Sequence, residues 1–359
     1  MIQFLDLKKI TALHYDELRD ALERTLKSGW YLRGEETKTF ESAYAQFIGT
    51  EHCVGCGNGL DALTLILRAY IEMGVMQAGD EVIVPANTYI ASILSVSRNN
   101  LKPVLVEADD SKIEEAITPR TKAIMIVHLY GKCAYTENIG KLCRKYNLKL
   151  IEDNAQAHGC KYKGRRTGAL GDAAAHSFYP TKNIGTIGDA GAVTTDDAAL
   201  AEMVRGLANY GSAKKYVFSH IGINSRMDEM HAAVLSVKLK YIDLENEQRR
   251  DNARFYIDNV NNDKIIIPSN EYWESSVFHI FPILCKRRDE LKDYLLKNGV
   301  QTDVHYPIPP YRQECYKELS HLSFPVTERI HEQELSIPVS QVLEPEERAT
   351  IARLLNQFE

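Results

Sequence analysis

An aspartate and a lysine, each placed just after a short apolar run, are the residues best suited to chemistry. Asp153 ends the run at 148–153, and Lys182 follows the small-residue run at 173–175. Pro180 must break any strand before Lys182, because proline fixes φ and cannot donate to a β-ladder. Ligands of open α/β sheets bind outside the carboxyl ends of the strands. The two side chains can therefore face one site, or they can form a structural ion pair.

The combination of a lysine and a carboxylate indicates pyridoxal phosphate (PLP) chemistry. A lysine amine can hold the cofactor aldehyde as a Schiff base, and a carboxylate can keep the pyridine nitrogen protonated as an electron sink. Lys182 and Asp153 have the residue types that these two roles need. Their spacing alone does not separate these roles from that of a structural ion pair.

A glycine-rich segment could hold the phosphate of such a cofactor. It reads Gly55-Cys56-Gly57-Asn58-Gly59 and leads into a predicted helix at 60–72. Glycines let backbone N–H groups approach a phosphate, which the helix dipole also favours. Leu60 stands where Gly-x-Gly-x-x-Gly would have its third glycine, and no Gly-Lys-Ser/Thr element is present. The dinucleotide-binding and P-loop interpretations are both weakened by these departures.

The composition excludes several classes of function. The chain has 359 residues, of which 44% are hydrophobic and 26% charged, as in ordinary globular proteins with a large core. With 43 basic and 49 acidic residues the net charge is −6, which argues against nucleic acid as a partner. No apolar run approaches the roughly 20 residues of a membrane helix, and the start does not resemble a signal peptide. We therefore expect a cytoplasmic protein with no membrane partner.

The cysteines do not indicate disulfides or a metal site. There are seven of them, an odd number in a long chain. Cys53 and Cys56 match a Cys-x-x-Cys pattern, but there is no second pair for zinc and no thioredoxin-like context. We expect both to be small buried residues.

Predicted helices and strands alternate along most of the chain, which indicates a mainly parallel sheet covered on both faces. The predicted helices of this part are at 10–28, 60–72, 90–98, 197–208 and 230–248, and the strands at 81–84, 103–106, 123–127, 148–153 and 192–195. We place a domain boundary after residue 248, where the pattern changes. The large domain would be 1–248, and 249–359 a small α+β domain. In the latter we predict strands at 265–267 and 277–281, and helices at 288–298 and 345–358.

Two segments resemble motifs of the DegT/DnrJ/EryC1/StrS family of nucleotide-sugar aminotransferases. They are Glu152-Asp153-Asn154-Ala155-Gln156-Ala157-His158-Gly159 and Ser177-Phe178-Tyr179-Pro180-Thr181-Lys182-Asn183. The resemblance runs from about Phe4 to the last helix. It implies a fold-type I, PLP-dependent α/β aminotransferase that forms a homodimer with shared active sites. Its implied substrates are a nucleotide-linked keto-deoxysugar and L-glutamate, and its product a deoxyaminosugar of the kind used in lipopolysaccharide O-antigen.

The resemblance also assigns roles to individual residues. Lys182 would be catalytic, Asp153 would hold the ring nitrogen, and Gln156 the ring hydroxyl. Phosphate contacts would come from Gly59 and Leu60 backbone donors, from Ser177, and from Asn224 of the partner subunit. Tyr89 would stack on the cofactor ring, although a packed core tyrosine is the alternative. The residues expected to border the sugar are Tyr31, Tyr179, His305 and Tyr306.

The loop at 29–35 resembles that of family members that aminate C3 of a deoxysugar. We therefore expect a 3-keto-6-deoxyhexose carried on dTDP, with UDP and GDP as other carriers. The alternatives are a 4-keto aminotransferase of the same family, a nicotinamide-dependent sugar oxidoreductase that uses the 55–59 glycines, and a non-catalytic regulator. Dehydratase relatives have histidine in place of the lysine, so Lys182 argues against dehydration.

His176 departs from the family pattern, because many relatives have phenylalanine there. We expect its ring to replace the phenylalanine in the core. The alternative is that a titratable ring beside Ser177 alters the chemistry of the substrate or the cofactor.

Overall fold

A computed structural model describes residues 1–107, 110–269 and 275–359. Its α-helices are α1 (Leu7–Ala12), α2 (Tyr15–Ser28), α3 (Glu35–Ile48), α4 (Gly59–Glu72), α5 (Ile90–Arg98), α6 (Asp110–Glu115), α7 (Glu137–Tyr146), α8 (Ala198–Leu207), α9 (Glu229–Leu239), α10 (Ile242–Asn259), α11 (Arg288–Lys297), α12 (Pro325–Gln333) and α13 (Pro345–Gln357). Short 3-10 helices are at Leu129–Gly131, Pro310–Arg312 and Glu314–Leu319.

The strands form one large sheet, one small sheet and two hairpins. They are β1 (His52–Cys56), β2 (Glu81–Pro85), β3 (Lys102–Val106), β4 (Thr121–Val127), β5 (Lys149–Asp153), β6 (Lys161–Tyr162), β7 (Arg165–Arg166), β8 (Ala173–Ser177), β9 (Gly191–Thr195), β10 (Ser212–Lys214), β11 (Val217–Phe218), β12 (Ile265–Ile266), β13 (Phe281–Cys285) and β14 (Glu334–Ile337).

The large sheet has seven strands in the order β1-β9-β8-β5-β4-β2-β3. Neighbours from β8 to β3 are parallel, and β9 alone runs antiparallel to both of its neighbours. Successive side chains of β2 lie on opposite faces of the sheet. Val82 and Val84 pack with α4, α5 and α8 on one face, and Ile83 packs with α7 on the other. The predicted parallel sheet, covered on both faces, is confirmed. Because β8, β5 and β4 are parallel, their carboxyl ends meet at one edge.

The small antiparallel sheet, β12-β13-β14, packs with α10, α11 and α13 around a second core. The strand predicted at 277–281 is wrong, because residues 277–280 lie outside any strand and β13 begins at Phe281. Every second residue of β13 is buried, namely Phe281, Ile283 and Cys285. The apolar run is continuous across both segments, so hydrophobicity alone did not locate the start of the strand.

Two predicted long helices are each divided by a turn. The helix predicted at 10–28 is α1 followed by α2, and the helix predicted at 230–248 is α9 followed by α10. Between α9 and α10 the N–H groups of Lys240 and Tyr241 bond to carbonyls three residues back, and the Lys240 ammonium donates to Glu17 at 2.9 Å. Such polar contacts leave no mark on hydrophobic periodicity. The domain boundary proposed after residue 248 falls within α10 and stays a prediction.

Two further features of the sequence can be compared with the structure. Cys53 and Cys56 are buried, with 4% and 0% of their surface exposed, as expected. None of the helices in the described part of the chain combines the length and the hydrophobicity required to span a lipid bilayer.

Glu152 is a fully buried carboxylate that fixes the end of β5. Its Oε1 accepts from the N–H groups of Leu170 at 2.7 Å and Gly171 at 2.8 Å. Its Oε2 accepts from the N–H of Gly168 and from His128 Nε2, both at 2.8 Å. Burial alone would raise the pKa of Glu152, but these donors outweigh burial and lower it. The carboxylate thus joins β5, the end of β4 and the loop before β8.

Glu152→Ala should destabilise the protein by about 3 kcal/mol or more, because four buried donors lose their acceptor. Urea unfolding followed by circular dichroism measures this change. Glu137→Ala, which removes an exposed partner of Lys163, is the control and should leave the midpoint unchanged. An equal midpoint for the two variants would show that Glu152 does not anchor the sheet.

Candidate active site

A cavity of about 550 Å³ lies at the carboxyl ends of β4, β5 and β8, beside the N-termini of α4 and α5. Ten of the twelve candidate residues line it, namely Gly59, Leu60, Tyr89, Asp153, Gln156, Ser177, Tyr179, Lys182, His305 and Tyr306. Tyr31 and Asn224 do not line it, and both are exposed. The predicted convergence therefore holds for these ten residues. It does not hold for Tyr31, which was expected to border the sugar but lies in the exposed loop between α2 and α3, away from the strand ends.

A larger cavity of about 1030 Å³ opens at the opposite edge of the sheet. It lies where β4 and β5 begin, and Lys122, Arg144 and Lys149 line it. Lys149 is paired with Asp172 at 3.2 Å. We assign the active site to the smaller cavity, because it alone contains the buried acid and the lysine at strand ends.

Lys182 occupies the turn after β8, where its N–H donates to the carbonyl of Tyr179 at 2.8 Å. Burial lowers the pKa of its ammonium group to about 8, and the negative charge of Asp153 acts in the opposite direction. A fraction of the amine is therefore unprotonated near neutral pH. An unprotonated, desolvated amine is the form that attacks an aldehyde and accepts protons.

Asp153 ends β5 and is 5% exposed. Its Oδ2 accepts from Ser92 Oγ at 2.8 Å, and its Oδ1 from the N–H of Ala155 at 3.2 Å. Burial raises the pKa of Asp153, while these donors and Lys182 act to lower it. A protonated ring nitrogen placed against this carboxylate would offset the cost of burying the charge. Sequence analysis missed Ser92, whose only signal is a serine on the buried face of α5.

The N-terminus of α4 forms a cradle of backbone donors. Asn58 Oδ1 accepts from the N–H of Asp61 at 2.8 Å, and the Asn58 carbonyl accepts from Ala62 at 3.0 Å. Within the described residues, the N–H groups of Gly59 and Leu60 have no acceptor. A Cβ on Gly59 would lie 2.7 Å from the Cβ of Ser177, so only glycine fits against this serine. Two helix-terminal donors and a hydroxyl suit a phosphate.

Aromatic side chains and an amide form the opposite wall. The rings of Tyr89 and Tyr306 lie 5.0 Å apart. Gln156 accepts from the N–H of Tyr130 at 2.6 Å and donates to the hydroxyl of Tyr306 at 3.0 Å, which fixes the orientation of its amide. Together with the lysine, the acid and the phosphate cradle, this wall suits a flat, phosphorylated aromatic cofactor. The residues present therefore fit PLP.

His279 is a cavity residue that sequence analysis placed in a strand without a role. Its Nδ1 lies 3.1 Å from Oδ1 of Asn183, the residue after Lys182. The Asn183 amide nitrogen donates to Asn246 Oδ1 at 2.7 Å, so its oxygen faces the ring and His279 Nδ1 carries the proton. Burial lowers the pKa of His279 well below its usual range, and the charge of Lys182 adds to this. A lone histidine in an apolar run was the only signal.

His176 is fully buried, as expected for a core substitute of phenylalanine. Its Nδ1 lies 2.9 Å from the Tyr44 hydroxyl, and its Nε2 lies 2.8 Å from Thr194 Oγ1. Thr194 donates its own proton to the carbonyl of Gly168 at 2.8 Å, so His176 Nε2 must carry the proton. Burial lowers the pKa of His176 well below its usual range. The ring is a neutral link between α3, β8 and β9 rather than a titrating group.

Gly59→Ala should weaken PLP binding roughly tenfold or more, because the new methyl group meets Ser177 and closes the phosphate cradle. Equilibrium binding of PLP to the cofactor-free protein, followed by absorbance, measures the change. Gly206→Ala in α8 is the matched control, since its Cβ would lie 3.5 Å from the nearest atom. Unchanged affinity in Gly59→Ala would place the phosphate elsewhere.

Comparison with known proteins identifies relatives that match nearly the whole chain. The chain is 49% identical to dTDP-3-amino-3,6-dideoxy-alpha-D-galactopyranose transaminase of Aneurinibacillus thermoaerophilus, over 100% of this chain and 99% of that protein. It is 43% identical to dTDP-3-amino-3,4,6-trideoxy-alpha-D-glucose transaminase of Streptomyces venezuelae, over 96% and 92% of the two chains.

The fold is likewise shared. The crystal structure of S. venezuelae DesV in complex with a ketimine intermediate superposes with a TM-score of 0.95, at 41% identity, covering 99% of this chain and 98% of that one. The fold-type I architecture expected from the sequence is thereby confirmed. A model of the DegT/DnrJ/EryC1/StrS aminotransferase family matches residues 14–356. The chain belongs to this family of PLP-dependent aminotransferases.

Proposed function

We propose that this aminotransferase converts a dTDP-linked 3-keto-6-deoxyhexose to the 3-amino sugar, with L-glutamate as amino donor. The observation that carries the proposal is the placement of half-buried Lys182 and buried Asp153 in one cavity, with the pKa of the lysine lowered to about 8. Two relatives that match more than nine tenths of the chain are named as transaminases of dTDP-linked 3-amino sugars. They support both the carrier and the position of amination.

The residues of the cavity divide the chemical work. Lys182, Asp153, Ser177 and the N–H groups of Gly59 and Leu60 would hold PLP, which when bound supplies an electron sink for the loss of a proton from carbon. The Lys182 amine takes the proton from Cα of the amino acid and, in the second half of the reaction, delivers one to C3 of the sugar. Ser92 and the N–H of Ala155 donate to Asp153, and both bonds favour its ionised form.

Because the chain belongs to an aminotransferase family, the nicotinamide-dependent oxidoreductase is no longer needed to explain the glycine-rich segment at 55–59. Gly55 belongs to β1, and the N–H of Gly57 donates to Ser225 Oγ at 2.9 Å. Gly59 and the following Leu60 line the cavity with N–H groups that have no acceptor among the described residues, and two such donors suit one phosphate. A non-catalytic regulator would have no use for a lysine held at a lowered pKa beside a buried acid.

The proposal includes a homodimer with shared active sites, supported by an apolar surface around Asn224. Large hydrophobic side chains are exposed in the segment at 210–223 and in the loop at 30–32. The N–H of Glu229 bonds to the carbonyl of Tyr31 at 3.0 Å, so the loop lies against the start of α9, which follows the segment along the chain. Asn224 is exposed, directly follows this segment and lies outside the cavity of its own chain, which favours a role in the partner's site.

Lys182→Ala should abolish the visible absorption band of the lysine-bound cofactor and reduce turnover roughly a thousandfold or more. Spectra before and after addition of L-glutamate test this result, and the wild-type band should disappear with the amino donor. Lys163→Ala, which removes an exposed lysine, should behave as the wild type. Turnover retained by Lys182→Ala would exclude the lysine as the catalytic base.

Complementation tests whether Asn224 serves the partner's site. Lys182→Ala and Asn224→Ala chains, each with its own tag, would be co-expressed and purified as a mixed dimer. If Asn224 acts across the interface, one site of the mixed dimer is intact, and its activity should reach roughly half that of the wild type. Both parent homodimers are controls and should be impaired. A mixed dimer with no activity would show that Asn224 acts within its own chain.

A further inference from the structure

A chain of hydrogen bonds leads from β14 to the cavity wall. Glu334 Oε2 accepts from the backbone N–H of His305 at 2.6 Å. Glu334 Oε1 accepts from the hydroxyl of Ser336, which in turn lies 2.9 Å from His305 Nδ1. Glu334 and Ser336 are both fully buried, and His305 lines the cavity that contains Lys182.

The donor and acceptor of each hydrogen bond in this series determine the tautomer of His305. An ionised carboxylate only accepts, so the single proton of the Ser336 hydroxyl is donated to Glu334. The Ser336 oxygen must then accept from His305, and Nδ1 carries the imidazole proton. Burial lowers the pKa of His305 to about 4, with Lys182 acting in the same direction and Asp303 opposing it, so the ring is neutral at neutral pH. Nε2 is therefore an acceptor.

The ring of His305 is also held in position. The Tyr130 hydroxyl donates to the His305 carbonyl at 2.5 Å, and the ring of Phe4 stacks on the imidazole at 5.8 Å. The nearest acid, Asp303 Oδ2, is 4.0 Å from Nε2, which is beyond hydrogen-bonding distance. In the described part of the chain Nε2 has no hydrogen-bond partner, so it is the nitrogen available to a ligand.

We propose that Glu334 and Ser336 are positioning residues that hold His305 as the Nδ1–H tautomer, so that Nε2 accepts a hydrogen bond from a hydroxyl group of the sugar. A hydroxyl can donate to this nitrogen, whereas a carbonyl or a phosphate oxygen cannot. His305 thus selects for a hydroxyl at one position of the substrate. The ligand named here rests on the proposed function, but the tautomer does not.

Because Glu334 can be ionised, its control of the His305 tautomer can be tested by substitution with a neutral residue. Burial raises the pKa of Glu334 to about 7, so the carboxylate is ionised at pH 8.5. The charged and titratable groups that face it are Arg288, Asp303, His305, Tyr130 and Tyr306. In Glu334→Gln the amide oxygen can keep the bond from the His305 N–H, and the amide nitrogen then donates to Ser336. Ser336 would donate to Nδ1, and the imidazole proton would move to Nε2.

Nitrogen-15 NMR of histidine-labelled holoenzyme at pH 8.5 measures the tautomer directly, with His305→Gln identifying the signal. We expect Nδ1–H in the wild type and in Ser336→Thr, which keeps the hydroxyl, and Nε2–H in Glu334→Gln. An Nε2–H tautomer or an imidazolium in the wild type would overturn the proposal. So would an unchanged tautomer in Glu334→Gln.

Steady-state kinetics tests the role in recognition. Glu334→Gln should raise KM for the nucleotide sugar about tenfold, the effect of one lost hydrogen bond, with KM for glutamate unchanged. Ser336→Thr should stay near the wild type. An unchanged sugar KM in a variant whose tautomer has switched would overturn the contact with the hydroxyl. Wild-type enzyme with the expected tautomer but no turnover of any nucleotide sugar would overturn the proposed function and, with it, the recognition role.

Discussion

The four hydrogen bonds to Glu152 set the geometry on which the catalytic edge of the sheet depends. Three come from the loop before β8, and the fourth from His128 at the end of β4. A carboxylate with a full set of donors is strongly directional in a medium of low dielectric constant. It holds β4, β5 and β8 at a fixed stagger, and Asp153 is the next residue along the chain. The position of Asp153, which we propose contacts the cofactor, is therefore determined by Glu152, which does not line the cavity.

The two central groups of the site are both shifted towards their neutral forms. Burial raises the pKa of Asp153 and lowers that of Lys182, and each charge partly opposes the shift of the other. A cofactor with a basic ring nitrogen and a phosphate would compensate for both effects, because it supplies a cation to the acid and an aldehyde to the amine. The electrostatic character of the cavity thus favours one class of cofactor before any substrate binds.

Sequence reasoning located residues of the cavity where their position is encoded locally. Asp153, Lys182 and Gly59 were found because strand ends, a proline break and a glycine-helix junction mark them within a few residues. Ser92 and His279 were not found, since their roles arise from contacts with residues far away along the chain. The same limit explains the shifted start of β13, where a continuous apolar run offered no point of reference, and the turn between α9 and α10, which depends on polar contacts.

The cavity draws its lining from Asn58 at one extreme of the chain order to Tyr306 at the other. No part of the chain folded alone could assemble it, because the loops between these positions must close before the contacts form. We therefore expect the cofactor to bind only after the segments that line the cavity have come together. A cofactor that binds the native state and not the unfolded chain stabilises the folded enzyme, and the stabilisation grows with the cofactor concentration.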